Sequence, residues 1–349
     1  MKVLKFGGTS VGSAKNINNV INILNSYAEK DTIICVVSAV GGITDKLLLA
    51  GSLAKNKDAA FSEVFNTIKE IHLDIIKELI PFLNETVLNE ISDTLETLNS
   101  LLEGIYLINE LSPKTSDKLT SYGELLSSFI IAETMKSRGS LAQLKNSQEL
   151  IITNSNFTKA DVDYKLTNKN IQEYFKSSEQ KITICPGFIS HSKTGEQTTL
   201  GRGGSDFTAA IIAAALKVEQ LEIWTDVSGM YTTNPKLVKQ AYPIERLSYQ
   251  EAMELSHFGA KVLYPPTVQP VLDLNIPIHI KNTLDPESVG TIISNNHINS
   301  GIPVKGISNI NNIALLTLQG SGMIGIPGFS KRLFETLSQE KINVILITQ

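Results

Sequence analysis

Lys5-Phe6-Gly7-Gly8-Thr9-Ser10 closes the apolar run that begins the chain, and it is the first place where residue types suggest chemistry. Two adjacent glycines let a backbone approach a polyanion and aim N–H groups at phosphate oxygens, while Lys5 adds a compact positive charge. The spacing is neither a Walker loop nor Gly-x-Gly-x-x-Gly, and by itself the pair reads first as a tight turn. Leu200-Gly201-Arg202-Gly203-Gly204-Ser205-Asp206 is denser. Three glycines surround an arginine at the start of an apolar helical run, where a helix N-terminus attracts anions and arginine can grip a carboxylate through two parallel hydrogen bonds. Ser205 or Asp206 could simply cap that helix, but capping does not call for Arg202. Thr225 and Asp226 end a strand and open a hydroxyl-rich turn, at the edge where α/β sheets bind ligands; Asp226 as a plain turn former stays open. Glu124 lies in Tyr122-Gly123-Glu124 within a mainly apolar helix. A glutamate there is usually a surface residue; a buried one needs a cationic partner, and a ligand ammonium would serve. Phe258-Gly259-Ala260-Lys261 adds a lysine after a further helix, and Asp45 and Lys46 read as polar residues of a helix start.

Equally informative is what these residues lack. No His, Cys or Asp cluster has metal-ligand spacing, and His72, His191, His257, His279 and His297 are scattered without a nucleophile beside them. Phosphorylating an ionised carboxylate needs positioning and positive charge rather than a general base. At 42% hydrophobic and 19% charged residues with net charge -4, the chain carries no broad field that would draw nucleic acid or an anionic membrane. Cys35 and Cys185 sit inside apolar runs and read as buried thiols of a reducing compartment. No apolar run approaches the ~18 residues of a membrane span. The N-terminal apolar stretch stops at Gly7-Gly8, so a signal peptide is not expected and a cytoplasmic enzyme is.

The elements that must position these residues alternate between strand and helix. Residues 1–6 read as a strand, 14–29 as a helix and 32–38 as a second strand, a βαβ opening that predicts a largely parallel sheet. Helices are expected at 43–53, 118–137, 163–177, 207–216 (after a glycine-rich loop from 203), 248–258 and 267–275, and strands at 181–190, 221–225 and 277–281, with a turn or flap at 191–199. Residues 58–104 are helical in pattern, broken at Pro81, and predict a helical hairpin inserted into the α/β core. The Asn- and Ser-rich stretch 286–303 is expected to be a linker between a catalytic domain (1–285) and a small α+β piece (304–349). In that piece, strands are expected at 304–308, 313–318 and 344–347 around a helix at 329–341, too little to bury its own sheet face, so it reads as a domain cut short.

Taken together, segments 5–11, 37–44 (Val-Ser-Ala-Val-Gly-Gly-Ile-Thr), 122–125, 200–206, 223–227 and 258–263 resemble, in order, the aspartate kinases of the amino-acid-kinase family. The helical insertion and residues 304–312 look most like the kinase half of bifunctional aspartokinase–homoserine dehydrogenases. The resemblance implies a three-layer α/β/α core with a mostly parallel open sheet and a C-terminal ACT-type regulatory domain, present here in part. It implies transfer of the γ-phosphoryl group of ATP to L-aspartate, giving 4-phospho-L-aspartate, the first step toward lysine, threonine and methionine. Carried onto this chain, Lys5, Gly7, Gly8, Ser10, Gly203 and Gly204 would meet phosphate, with Asp206 orienting Lys5. Thr44, Glu124, Phe188, Arg202 and Ser205 would hold aspartate, and Thr225, Asp226, Tyr231, Lys236 and Lys261 would line the nucleotide site. Mg2+ would be held mainly by the ATP phosphates, with no protein ligand set. An end-product effector (threonine) and a homo-oligomer are also implied, as is a chain that turns over yet ignores threonine because its regulatory part is incomplete. Asn234, Lys236, Tyr264 and Pro266 depart from the family pattern, and these departures are expected on the nucleotide side. Another amino-acid kinase of the same fold, or a non-catalytic amino-acid sensor, are the alternatives.

Overall fold

Strands β1 (Lys2–Phe6) and β2 (Ile33–Val37) pair in parallel, Lys5 opposite Val36, with α1 (Ala14–Ala28) as the crossover. Side chains alternate across a strand, and here both faces are buried. Leu4, Phe6, Ile33, Cys35 and Val37 enter one apolar cluster, while Val3, Ile34 and Val36 enter another. A sheet with a core on each side is the expected three-layer arrangement. The same alternation puts Lys5 on the face of Val3. The computed structural model describes residues 1–82, 85–259, 262–295, 304–319 and 328–348.

Helices α2 (Ile43–Lys55), α3 (Phe61–Leu79), α4 (Glu85–Ile108) and α5 (Pro113–Ser137) complete the first layer with α1. The insertion expected at 58–104 is α3 and α4, which pack chiefly on α2 rather than forming a separate hairpin. α5 starts at Pro113, earlier than expected, because Ser112 accepts from the Thr115 N–H and a proline in the first turn has no N–H to leave unpaired.

The rest of the first unit runs β3 (Ala142–Leu144), β4 (Ile152–Thr153), α6 (Tyr164–Ser177), β5 (Ile182–Pro186), β6 (Ile189–Ser192), β7 (Gln197–Thr199), α7 (Gly204–Leu216), β8 (Leu221–Thr225), β9 (Arg246–Ser248), α8 (Tyr249–His257), α9 (Gln269–Leu272), β10 (Ile278–Asn282) and β11 (Thr291–Ser294). The main sheet has the order β3-β5-β2-β1-β8-β10-β11-β9, parallel as far as β10, which β11 meets antiparallel. A second sheet is β4-β6-β7. The single strand expected at 181–190 is two strands, broken where Phe188 adopts a left-handed φ of 66°. The expected flap is a hairpin of β6 and β7. Helix 267–275 is instead a 3-10 turn at Pro265–Val268 followed by α9. Strands β3, β4, β9 and β11 escape a periodicity reading because each is only two to four residues long. Of these, β11 falls inside the expected linker yet pairs with β9 and β10.

The chain divides into two compact units, Met1–Asn309 and Ile310–Gln349. The second holds α10 (Phe329–Gln339). Segments 304–308, 313–318 and 344–347, expected as strands, form no ladder among the described residues. An apolar run becomes a strand only where a neighbour takes up its backbone N–H and C=O groups.

Within the first unit, the loops that leave the C-terminal ends of β1, β2 and β5, and the turn into α7, converge on one edge of the main sheet, the usual ligand side of an open α/β sheet. No described helix is long and apolar enough to cross a membrane.

Candidate active site

A cavity of about 700 Å³ opens at this edge. Of the residues singled out from the sequence, Lys5, Gly8, Thr44, Glu124, Phe188 and Arg202 line it, together with Gly203 through Asp206. Lys5 comes from the end of β1 and Asp206 from the first turn of α7, on the sheet face that the strand alternation assigns to Lys5. Lys5 Nζ lies 2.7 Å from Asp206 Oδ1, and both side chains are largely buried. The aspartate therefore holds the lysine's charge at the cavity rather than letting it reach solvent.

Two helix N-termini face the same space. α2 and α7 are capped by Gly42 (φ 78°) and Gly203 (φ 72°), left-handed conformations that suit glycine and supply no side-chain cap. The Ile43 and Gly204 amides donate to the Val40 and Gly201 carbonyls. Among the described residues, the next amides of each helix, at Thr44 and Asp45 and at Ser205 and Asp206, carry no such bond. Unsatisfied amides at a positive dipole end, doubled across one cavity beside a lysine, make a site for a polyanion.

Opposite charge enters from α5. Asp117, Thr120 and Glu124 follow one another at helical spacing and line the cavity. Glu124 is 4% exposed, and its Oε2 has no hydrogen-bond partner among the described residues. Burial pushes its carboxyl up to about 8, against the lowering effect of a backbone hydrogen bond from Ala39 and the charge of Lys5. Gly123 permits this approach, since a Cβ there would lie 2.7 Å from the Ala39 Cβ. A buried carboxylate with one unpartnered oxygen, beside a free volume, suits a cationic ligand group.

Asp117 is the residue a sequence reading passes over. It is buried and accepts from the Thr158 N–H (3.0 and 2.9 Å to its two oxygens), the Thr199 N–H (3.1 Å) and the Thr199 hydroxyl (2.6 Å). It thereby ties α5 to the end of β7, just before the Arg202 loop. Its carboxyl is raised by burial despite those bonds. The Ser112-Pro113 helix start would have put Asp117 in the helix, but its partners are remote in sequence. Asp45, read as an ordinary helix-start residue, also borders the cavity.

Two phosphate-site expectations, at Gly7 and Ser10, are corrected. The Gly7 N–H donates to the Trp224 carbonyl at 3.1 Å, extending the sheet, and is not aimed at a phosphate. Ser10 is buried, its hydroxyl bonded to the Thr283 hydroxyl (2.7 Å) and the Trp224 carbonyl (3.4 Å), so it braces strand ends outside the cavity. Thr225, Asp226, Tyr231 and Lys236 also lie outside it, on β8 and the segment that follows. Thr225 donates to Asp226 at 3.2 Å, Tyr231 bridges to Pro243, and the Lys236 amide donates to the Asn234 side chain at 3.0 Å. Lys261 lies outside the described residues. Tyr264, expected on the nucleotide side, instead packs its ring on Arg202, with the guanidinium carbon 5.1 Å from the ring centroid.

A mostly parallel sheet with paired helix N-termini and a lysine at its ligand edge defines an α/β protein with a site suited to an anion, and the Amino acid kinase family matches residues 1–282: the chain belongs to that family. An ACT domain matches residues 316–349. Its relatives include aspartokinases. The bifunctional aspartokinase/homoserine dehydrogenase 2, chloroplastic, of Arabidopsis thaliana is 34% identical over 355 residues, covering 99% of this chain and 38% of that protein. Aspartokinase 1, chloroplastic, of the same plant is 35% identical over 353 residues, covering 99% of this chain and 61% of that one. The crystal structure of E. coli aspartokinase III in complex with aspartate and ADP superposes with a TM-score of 0.82 at 32% identity, over 100% of this chain and 76% of that one. The chain thus spans 38% of the length of the bifunctional plant relative.

Proposed function

We propose that this chain is an aspartate kinase, transferring the γ-phosphoryl group of magnesium-bound ATP to the side-chain carboxylate of L-aspartate to give 4-phospho-L-aspartate and ADP. The observation that carries the reading is the pairing, in one cavity, of an anion site with a buried carboxylate that has a free oxygen. An amino acid bearing a second carboxylate, placed end-on to a triphosphate, matches both. The names of the relatives support the substrate, and the aspartate and ADP held by aspartokinase III support the pairing.

In this reading Glu124 meets the substrate ammonium, Arg202 its α-carboxylate, and Thr44, Phe188 and Ser205 shape the remainder. Lys5, kept in place by Asp206, neutralises the charge of the phosphoryl group in flight, with the amides of Gly8 and of the α2 and α7 first turns around it. The acceptor is already ionised, so no residue has to remove a proton. Thr225, Asp226, Tyr231, Lys236 and Lys261 are proposed for the nucleotide side, with Mg2+ bound through the phosphates. The ACT match supports regulation by an end-product amino acid wherever the regulatory part is whole, for which threonine is our proposal; a homo-oligomer is proposed as well.

A hydroxamate assay with aspartate, glutamate and acetylglutamate tests this directly. Turnover with aspartate alone is expected. Lys5→Ala should lower kcat by at least about 100-fold, and Arg202→Ala should chiefly raise the aspartate KM. Wild-type turnover with Lys5→Ala, or a preference for glutamate or acetylglutamate, would sink it.

A further inference from the structure

Arg202 is exposed, and among the described residues no ion pair or hydrogen bond holds its side chain. What holds it is the face of Tyr264, 5.1 Å from the guanidinium carbon to the ring centroid. The backbone that carries the ring is itself fixed. The Tyr264 carbonyl accepts from the Thr267 N–H (3.0 Å) and the Thr267 hydroxyl (2.6 Å). A Cβ added at Gly203 would lie 3.1 Å from Tyr264 Cδ1 and 2.9 Å from Thr267 Cγ2, so tyrosine and threonine form a floor directly beneath the Arg202 loop.

A flexible arginine loses rotamer freedom when it binds an anion, and a stacked one has given up part of that freedom beforehand. With the ring beside it, the guanidinium keeps N–H groups that have no hydrogen-bond partner among the described residues and stay available to a carboxylate. We infer that Tyr264 is a positioning residue for the amino-acid acceptor: it holds the Arg202 guanidinium at the cavity, N–H groups available, so that the substrate α-carboxylate meets a preset fork. This rests on the proposed acceptor reading and adds to it a residue outside the cavity lining.

Steady-state kinetics on the whole chain test the inference through a double-mutant cycle. Tyr264→Leu should raise the aspartate KM about three- to fivefold, a change matching the loss of one exposed cation–π contact, with kcat and the ATP KM within about twofold of wild type. Tyr264→Phe keeps the ring and should stay within about twofold. In an Arg202→Ala background, Tyr264→Leu should add nothing further, since its action runs through Arg202. An unchanged aspartate KM in Tyr264→Leu, a Phe variant as impaired as the Leu variant, or an effect that persists without Arg202 would each overturn the inference. Should Tyr264→Leu fail to fold, Tyr264→Met takes its place in the cycle. A wild-type chain that does not phosphorylate aspartate would instead remove the functional reading, and the inference with it.

Discussion

Burial in the fold favours the protonated form of Glu124. Its folded value of about 8 lies above the ordinary 4.5, so the folded protein keeps a proton that the unfolded chain releases. Its contribution to stability is therefore full below about pH 4.5 and lost as pH rises through 8. A substrate ammonium reverses that balance by favouring the carboxylate. Glu124→Gln should accordingly raise the melting temperature at pH 8.5 while raising the aspartate KM at least about tenfold, the loss expected for a charge-assisted contact. Melting curves and kinetics on the same preparation decide it, and a variant that is both less stable and equally active would contradict the assignment. Lys5 is the opposite case, a charge already matched by Asp206 before any ligand arrives.

At the level of elements, α5 is the strut of the site. Its outer turns end in Ser112 and Arg138, and its middle is buried, with Ser127 donating to the Ser38 carbonyl at 2.7 Å and Gly123 against Ala39. Asp117 links that strut to the β6–β7 hairpin side of the cavity. Asp117→Ala leaves the Thr158 and Thr199 donors without their acceptor, so it should cost about 1–3 kcal/mol of stability and raise the aspartate KM by displacing the Arg202 loop. Denaturant unfolding and kinetics check both effects. A change in stability with an untouched KM would confine Asp117 to the scaffold.

Over the whole molecule, two buried groups set opposing slopes of stability with pH. His72 on α3 is 0% exposed, donates from Nδ1 to the Ile68 carbonyl at 2.7 Å, and is lowered by burial to about 4 from 6.5. The unfolded chain therefore binds the additional proton, so the contribution of His72 is complete above about pH 6.5 and is lost as pH falls toward 4. Between pH 7 and pH 5 the loss is about 2 kcal/mol. Glu124 acts with the reverse sign from pH 4.5 to 8, so the two partly cancel between 4.5 and 6.5. His72→Leu should flatten the acid limb of the stability curve and leave the decline toward pH 8 in place, as read by denaturant midpoints across that range. An acid limb unchanged by His72→Leu would rule out its burial as the cause.

By itself the sequence determined the parallel α/β core, and it singled out the loops around Lys5 and Arg202 and the glutamate at 124 as places where chemistry could sit. These are local facts: a period of two, a glycine pair after a strand, an arginine among glycines, a carboxylate in an apolar helix. What they could not contain was pairing across the chain. Only the tertiary structure decided that the Gly7 amide and the Ser10 hydroxyl serve Trp224 and Thr283, because an N–H or O–H spends its hydrogen bond on whatever acceptor packing brings beside it. The same holds for Asp117, whose partners lie 41 and 82 residues away. It holds again for Tyr264, which reads in sequence as a residue beyond a lysine motif and in space as the floor under Arg202. Short strands such as β4 and β11 exist for the same reason, since a run of two to four residues becomes a strand through its neighbour and not through its own pattern.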